Sequence, residues 1–177
     1  MGALKKIGNG ITIANEKIND AASWLMYPLV IVVMYEVVKR YLFNNPTNWV
    51  YDMTWMLCGT YVFLGFAHGW HTGIHVKADI IYNMLGAVGK FVFDMVSYVL
   101  FFFPTMTLLC WSCWQYFWKS FVQKDTSIGT IWGPILWPMK LILAISMTML
   151  ALQGIVEFAR RIGAFIDSRK AGEEVAK

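Results

Sequence analysis

The sequence predicts an all-α integral membrane protein with four transmembrane helices, an N-terminal amphipathic helix and a short interfacial helix between spans two and three. Three observations carry this. Of 177 residues, 58% are hydrophobic and only 15% charged, against about 25% charged in an ordinary soluble domain. The missing charges are absent from long continuous blocks, and the mean hydropathy is +0.50. Four spans of about 20 residues with short loops then use nearly the whole chain, so residues 1–177 read as a single membrane domain.

The elements follow in order. Residues 4–18 place Leu4, Ile7, Ile11, Ala14 and Ile18 at alternating three- and four-residue steps, with Lys5, Lys6, Asn9, Thr12, Glu16 and Lys17 on other faces. That pattern is an amphipathic helix expected to lie in the membrane interface. The first span is expected over 21–43, uncharged until Glu36, Lys39 and Arg40 near its far end. Asn44-Asn45-Pro46-Thr47 then turns the chain, because proline cannot donate to a helix and asparagine tolerates turn geometry. The second span, 49–70, holds Asp52 as its single acid, and Gly59, Gly65 and Gly69 offer small surfaces for close packing. Between 71 and 90, Ile80, Ile81, Met84, Leu85 and Val88 recur at helical spacing and predict the second interfacial helix.

The third span, 91–118, is uncharged from Met95 to Trp118, and Pro104 within it predicts a kink or a freed carbonyl. A polar connection runs from Lys119 to Thr130. Pro134 and Pro138 then predict an irregular opening to the fourth span, 138–161. The tail, 167–177, is charged and small and is expected to be mobile.

The charges also bound function. A pI near 9.0 and a net charge of +4 raise the question of nucleic acid, but the cations sit at the ends of apolar runs rather than in a patch interleaved with aromatics. With the N-terminus cytoplasmic, ten Lys and Arg fall inside and five (Lys39, Arg40, Lys119, Lys124, Lys140) outside, which places both termini in the cytoplasm. Lys39 and Arg40 run against that bias and need a local reason. Cys58, Cys110 and Cys113 all lie in apolar runs, which argues against a disulfide scaffold. No nucleophile with a base, phosphate loop or paired carboxylates is present, so neither catalysis nor a cofactor is expected.

Four constellations remain. Glu36 and Arg40 are spaced i,i+4 with the acid first, the better orientation for a helical ion pair. They read equally as a polar lock to another subunit or as a solvated pair where the helix leaves the bilayer. Asp52 is placed to join them from the second span. His68, His71 and His75 share a helix face on paper, but a bis-histidine haem needs ligands on two facing elements, and all three lie in one short segment. Cys110-Trp-Ser-Cys113 has redox spacing inside an apolar run, with no cation to lower a thiol pKa; packing is the better reading. Gln153 and Glu157, with Arg161 one turn on, form a helix-end pair or a subunit contact.

These residues resemble the small membrane subunit, the DctQ type, of tripartite ATP-independent periplasmic (TRAP) transporters. The match rests on Arg40-Tyr-x-Phe43-Asn44 followed by Pro46-Thr47-x-Trp49-x₂-Asp52. It rests also on Gly73-x-His75-Val76-x₂-Asp79, and on Trp132-x-Pro134, Pro138-x-Lys140 and Leu152-Gln153-Gly154. Asp52 stands where the resemblance would place Glu, and Lys77 where Arg is common. The resemblance implies a sodium-coupled importer of organic acids in the bacterial or archaeal inner membrane. A periplasmic binding protein docks transiently, a large membrane subunit carries the substrate and sodium sites, and this chain is bound stably to it as scaffold. It also implies contact or structural roles for Arg40, Trp49 and Asp52 at the outer end and for His75 and Asp79 at the inner end. Arg40 would bond a partner carboxylate or carbonyl, and Asp79 would anchor the interfacial helix. The rival reading is a haem- or quinone-binding membrane anchor of an electron-transfer complex.

Overall fold

A computed structural model of the chain describes residues 2–72 and 86–175. Helix α1 covers Gly2–Ser23 and α2 Met26–Tyr41, separated by a single turn at Trp24–Leu25. Helix α3 is Val50–Thr72 and α4 Ala87–Val96; a π-helical turn, Ser97–Phe102, passes into α5, Phe103–Gln123, and α6 closes the chain as Trp137–Val175. The interfacial helix expected around Ile80 and Leu85 lies outside the described residues, as do His75 and Asp79.

Among the described residues, three helical stretches are long and apolar enough to cross a membrane: Gly8–Tyr41, Val88–Gln123 and Trp137–Ile166. The expected second span is a helix of 23 residues, but glycines, threonines, ring polar groups and His68 dilute its apolar content below that of the other three. Helix α6 also outruns the expected fourth span, continuing through the charged tail to Val175. No proline follows Pro138, and Ala, Glu, Lys and Arg dominate the tail, so nothing in the backbone chemistry stops the helix.

Pro104 explains the π turn. Its nitrogen cannot donate to the carbonyl four residues back, and its ring crowds that carbonyl. Widening the preceding turn to i→i+5 bonding relieves both, and regular helix resumes at Phe103. The wider turn buries Tyr98 and Phe102. The tip of the Phe102 ring meets Gly154 of α6, where an added Cβ would sit 2.0 Å from its Cζ.

The helices form an open row, not a closed bundle. Helix α6 packs on α3 along one side and α5 along the other, α2 packs on α3, and α1 lies across α3 and α6. The apolar core is correspondingly small: Ala67, Met147 and Leu150, with Phe63, Phe66 and Met106 against them. Helix α2 has no buried residue at all. Gly59 lets Met139 approach to within 2.4 Å of where its Cβ would be, the close approach expected of a small residue at a membrane helix crossing.

The N-terminal helix meets α3 and α6 through small and polar residues. Gly8, Thr12, Asn15 and Ala22 are buried, while of the described residues of the apolar stripe Ile11 and Ile18 are half-buried and Ala14 is exposed. Small and amide side chains at steps of three, four and seven let the backbones of α1 and α6 come close, with Gly8 against Val156, and supply hydrogen bonds where apolar packing is thin.

Candidate functional site

Polar side chains gather at two ends of the row. At the turn end, where the α2–α3 and α5–α6 connections meet, Arg40 donates from Nε and Nη2 to Glu36 Oε1 at 3.0 and 2.6 Å. The other carboxylate oxygen, Oε2, accepts the Thr47 backbone N–H at 3.2 Å and the Thr47 hydroxyl. Glu36 thus pins the turn back onto the helix it follows. Asn44 carries the chain through that turn at φ 47°, a left-handed conformation asparagine adopts at little cost. Trp49 lies beside Tyr35, ring centroids 6.0 Å apart.

Asp52 does not join this cluster. It is fully buried in the first turn of α3, where the helix dipole favours an acid, and it faces the α5–α6 loop. Its carboxylate accepts Trp55 Nε1–H at 3.0 Å, the Ser127 hydroxyl at 2.8 Å and the Thr130 hydroxyl. Three neutral donors satisfy the charge where a cation would require a second desolvation. The loop backbone runs close by: a Cβ added at Gly129 would lie 3.6 Å from Oδ1.

The same loop is closed at its base. Ser127 N–H donates to Pro134 O at 2.9 Å and Leu136 N–H to Asp125 O at 3.0 Å. Lys124 caps α5 in the left-handed conformation, φ 50°. Lys140 Nζ lies 3.0 Å from Asp125 Oδ2 and 3.8 Å from the centre of the Tyr116 ring. The hydrogen bond from Lys140 holds the Asp125 carboxyl below its ordinary pKa of 3.8, against a smaller opposing effect of burial.

At the termini end, α1 is clasped to α6 through amides. Asn15 Nδ2 donates to Gln153 Oε1 at 2.9 Å, and Gln153 Nε2 to the Thr12 hydroxyl at 3.3 Å. Arg160 donates from Nη2 to Asn9 Oδ1 and Thr12 Oγ1, each at 3.1 Å, and Thr12 passes its own proton to Gly8 O. Gln153 is fully buried. Beside this clasp, Arg161 bonds Asp94 of α4 and faces the Tyr98 ring, and Phe91 stacks on Phe165 at 3.8 Å.

The family model for the DctQ component of tripartite ATP-independent periplasmic transporters matches residues 29–164, most of the chain. The chain belongs to this family. It is therefore a membrane component of a transporter, of a family that associates with a large membrane subunit and a periplasmic binding protein and is not a family of enzymes. Curated protein sequences gave no match. The DctQ match begins inside α2, so α1 lies beyond it while Gln153, the residue that clasps α1, lies within.

Of the residues the sequence singled out, Glu36 and Arg40 do meet, and Thr47 joins them. Asp52 is the correction: it was expected with that pair and instead fastens the α5–α6 loop. Gln153 and Glu157 share a helix but separate in role. Gln153 turns inward to Asn15, and Glu157 lies 3.6 Å from Arg160, with Arg161 given to Asp94 instead. Cys110 and Cys113 are free thiols, and Cys110 Sγ donates to Met147 O at 3.4 Å. Asn15, Thr12, Ser127, Thr130 and Asp94 escaped the sequence reading. Asp94 had a signal, as the acid that opens the uncharged run from Met95 to Trp118; the hydroxyl-rich stretch from Thr126 to Thr130 was another.

Proposed function

We propose that this chain is the fixed frame of a TRAP transporter. It crosses the membrane four times, with α3 as the second span and both termini in the cytoplasm, and it binds a large subunit that carries out sodium-coupled import of organic acids. A periplasmic binding protein delivers the substrate at the turn end. The observation that supports this best is the open row of helices tied at both ends. The Asp52–loop fastening and the Asn15–Gln153 clasp hold the helices relative to one another, while α2 buries nothing and leaves its whole outer face for a partner. A frame against which another subunit slides needs that combination of internal ties and free flank.

The described helices also lack the features a self-sufficient carrier uses. Such carriers build their sites from pairs of broken helices whose ends point at substrate and ion. Here the described helices contain one π turn, and Pro104 accounts for it.

Within this reading Arg40 is the contact residue. Two of its donor directions hold Glu36, the guanidinium is more than half exposed, and a guanidinium has five donors in all. The others are placed to make charge-assisted bonds to a partner carboxylate or carbonyl, which is the local reason for a cation on the side that topology disfavours. His75 and Asp79 are proposed to act at the opposite face. Deleting the gene and measuring uptake of a panel of organic acids with and without sodium tests the assignment. Loss of one sodium-dependent activity, restored by the intact chain, supports it; uptake unaffected by deletion refutes it.

A further inference from the structure

Helix α5 carries a groove on the side turned away from α6. Trp111, Gln115, Trp118, Lys119 and Val122 line it with Trp114 as one wall, a single helical face at steps of three and four. Trp114 is pinned there, its Nε1–H donating to Thr148 Oγ1 of α6 at 3.1 Å. Trp111 and Trp118 stand 67% and 64% exposed. The groove is graded along its length. Its inner part is aromatic and uncharged, and its outer end is the first cation after the uncharged run from Met95 to Trp118.

That cation is electrostatically available. Arg40 is held by Glu36 and Lys140 by Asp125, whereas among the described residues no carboxylate lies within ion-pair distance of Lys119. Asp125, the acid whose charge Lys119 influences, is already engaged by Lys140. A lone ammonium at the lip of an apolar groove, level with the end of a membrane span, complements one ligand chemistry. It fits a phosphate attached to a hydrocarbon chain. Indole rings suit both halves of such a molecule, since they present an apolar face and an N–H donor and favour the depth where headgroup meets acyl chain.

We propose that this groove is a binding site for an anionic glycerophospholipid of the leaflet at the turn end. Its phosphate pairs with Lys119, and an acyl chain lies along Trp118 and Trp111. The inference depends on the chain spanning a membrane and not on which transporter it serves.

The test is native mass spectrometry of the full chain released from nanodiscs of mixed phosphatidylglycerol and phosphatidylcholine. The wild type is expected to retain one phosphatidylglycerol, and Lys119→Gln to retain it about fivefold less, the scale of one basic residue at an anionic surface. Lys119→Arg is expected to restore retention. Lys124→Gln removes the same charge at a position that does not line the groove, and is expected to leave retention unchanged. Trp118→Ala is expected to lower retention of both lipids, with melting curves confirming that each variant is folded. Equal retention in Lys119→Gln and Lys124→Gln would overturn the proposal, as would displacement of the lipid by millimolar inorganic phosphate. A photo-crosslinker at Gln115 in the assembled transporter is expected to capture lipid. Capture of the large subunit there instead would show the face to be a protein interface and reject the lipid site.

Discussion

Glu36 and Asp52 are carboxylates at the same end of the molecule, on consecutive helices, and their surroundings differ in kind. Glu36 faces a partly exposed cation and a turn, and the Arg40 side chain is a little over half exposed. Asp52 is sealed in, with no cation bonded to it among the described residues, and is satisfied by an indole and two hydroxyls from its own chain. An ion pair open to solvent contributes little to a fold, so the Glu36–Arg40 pair is a weak tie and a good handle. Hydrogen bonds to a buried charge are of the order of 1.5–3 kcal/mol each, so Asp52 is a strong tie and offers a partner nothing. The disposition of donors around an acid, rather than its charge, separates structure from contact.

The largest expected effect comes from breaking the strong tie. Asp52→Ala leaves the Trp55, Ser127 and Thr130 donors without their acceptor. It is expected to destabilise the isolated chain by about 2–4 kcal/mol, read as a lower melting temperature in detergent together with protease cleavage in the loop from Thr126 to Ile135. Asp52→Asn keeps an acceptor and should fall between.

Next is the crossing of α5 and α6. Gly154→Ala places a methyl in the space of the Phe102 ring, and overpacking of this kind costs about 1–3 kcal/mol. Shortening Phe102 to Leu in the same chain should recover part of that loss, and recovery in the double variant is the measurement that identifies the contact.

The clasp at the termini end is expected to matter somewhat less. Gln153→Leu removes the partner of Asn15 and Thr12, and interhelical polar contacts in membranes contribute about 0.6–2 kcal/mol. Faster amide hydrogen exchange in α1, with α5 unchanged, is the signature expected.

The smallest effect is a pH response at the loop base. Lys140 lowers the Asp125 pKa in the folded chain, so the pair contributes fully above the ordinary carboxylate value of 3.8 and its contribution is lost as pH falls below it. Loop cleavage is therefore expected to be flat from neutral pH down to that value and to rise only beneath it. Asp125→Asn is expected to reduce the pH dependence, leaving the part carried by the Asp52 carboxylate on the same loop.

Much of this fold was legible in the sequence, and the misses share a cause. Apolar periodicity and prolines located the long helices, and Pro104 announced the irregular turn before it. Helix–helix contacts in a membrane are another matter, because lipid is as apolar as the core and hydrophobic spacing no longer says which face packs. That is why the apolar stripe of α1 said nothing of its protein contact, which Gly8, Thr12 and Asn15 make. Asp52 was misplaced for a related reason: closeness in sequence to Glu36 and Arg40 suggested a shared cluster, and two of the donors that satisfy it lie on a distant loop that no spacing rule connects to it.

The central claim is that this chain is a frame built to be held by a larger partner, with Arg40 among the groups it is held by. Affinity purification of the tagged chain from its native membrane tests it most directly. A larger polytopic subunit is expected to co-purify, and Arg40→Ala to weaken its retention while leaving the melting temperature of the isolated chain nearly unchanged. A chain that purifies alone, with no large membrane partner in any extract, would contradict it.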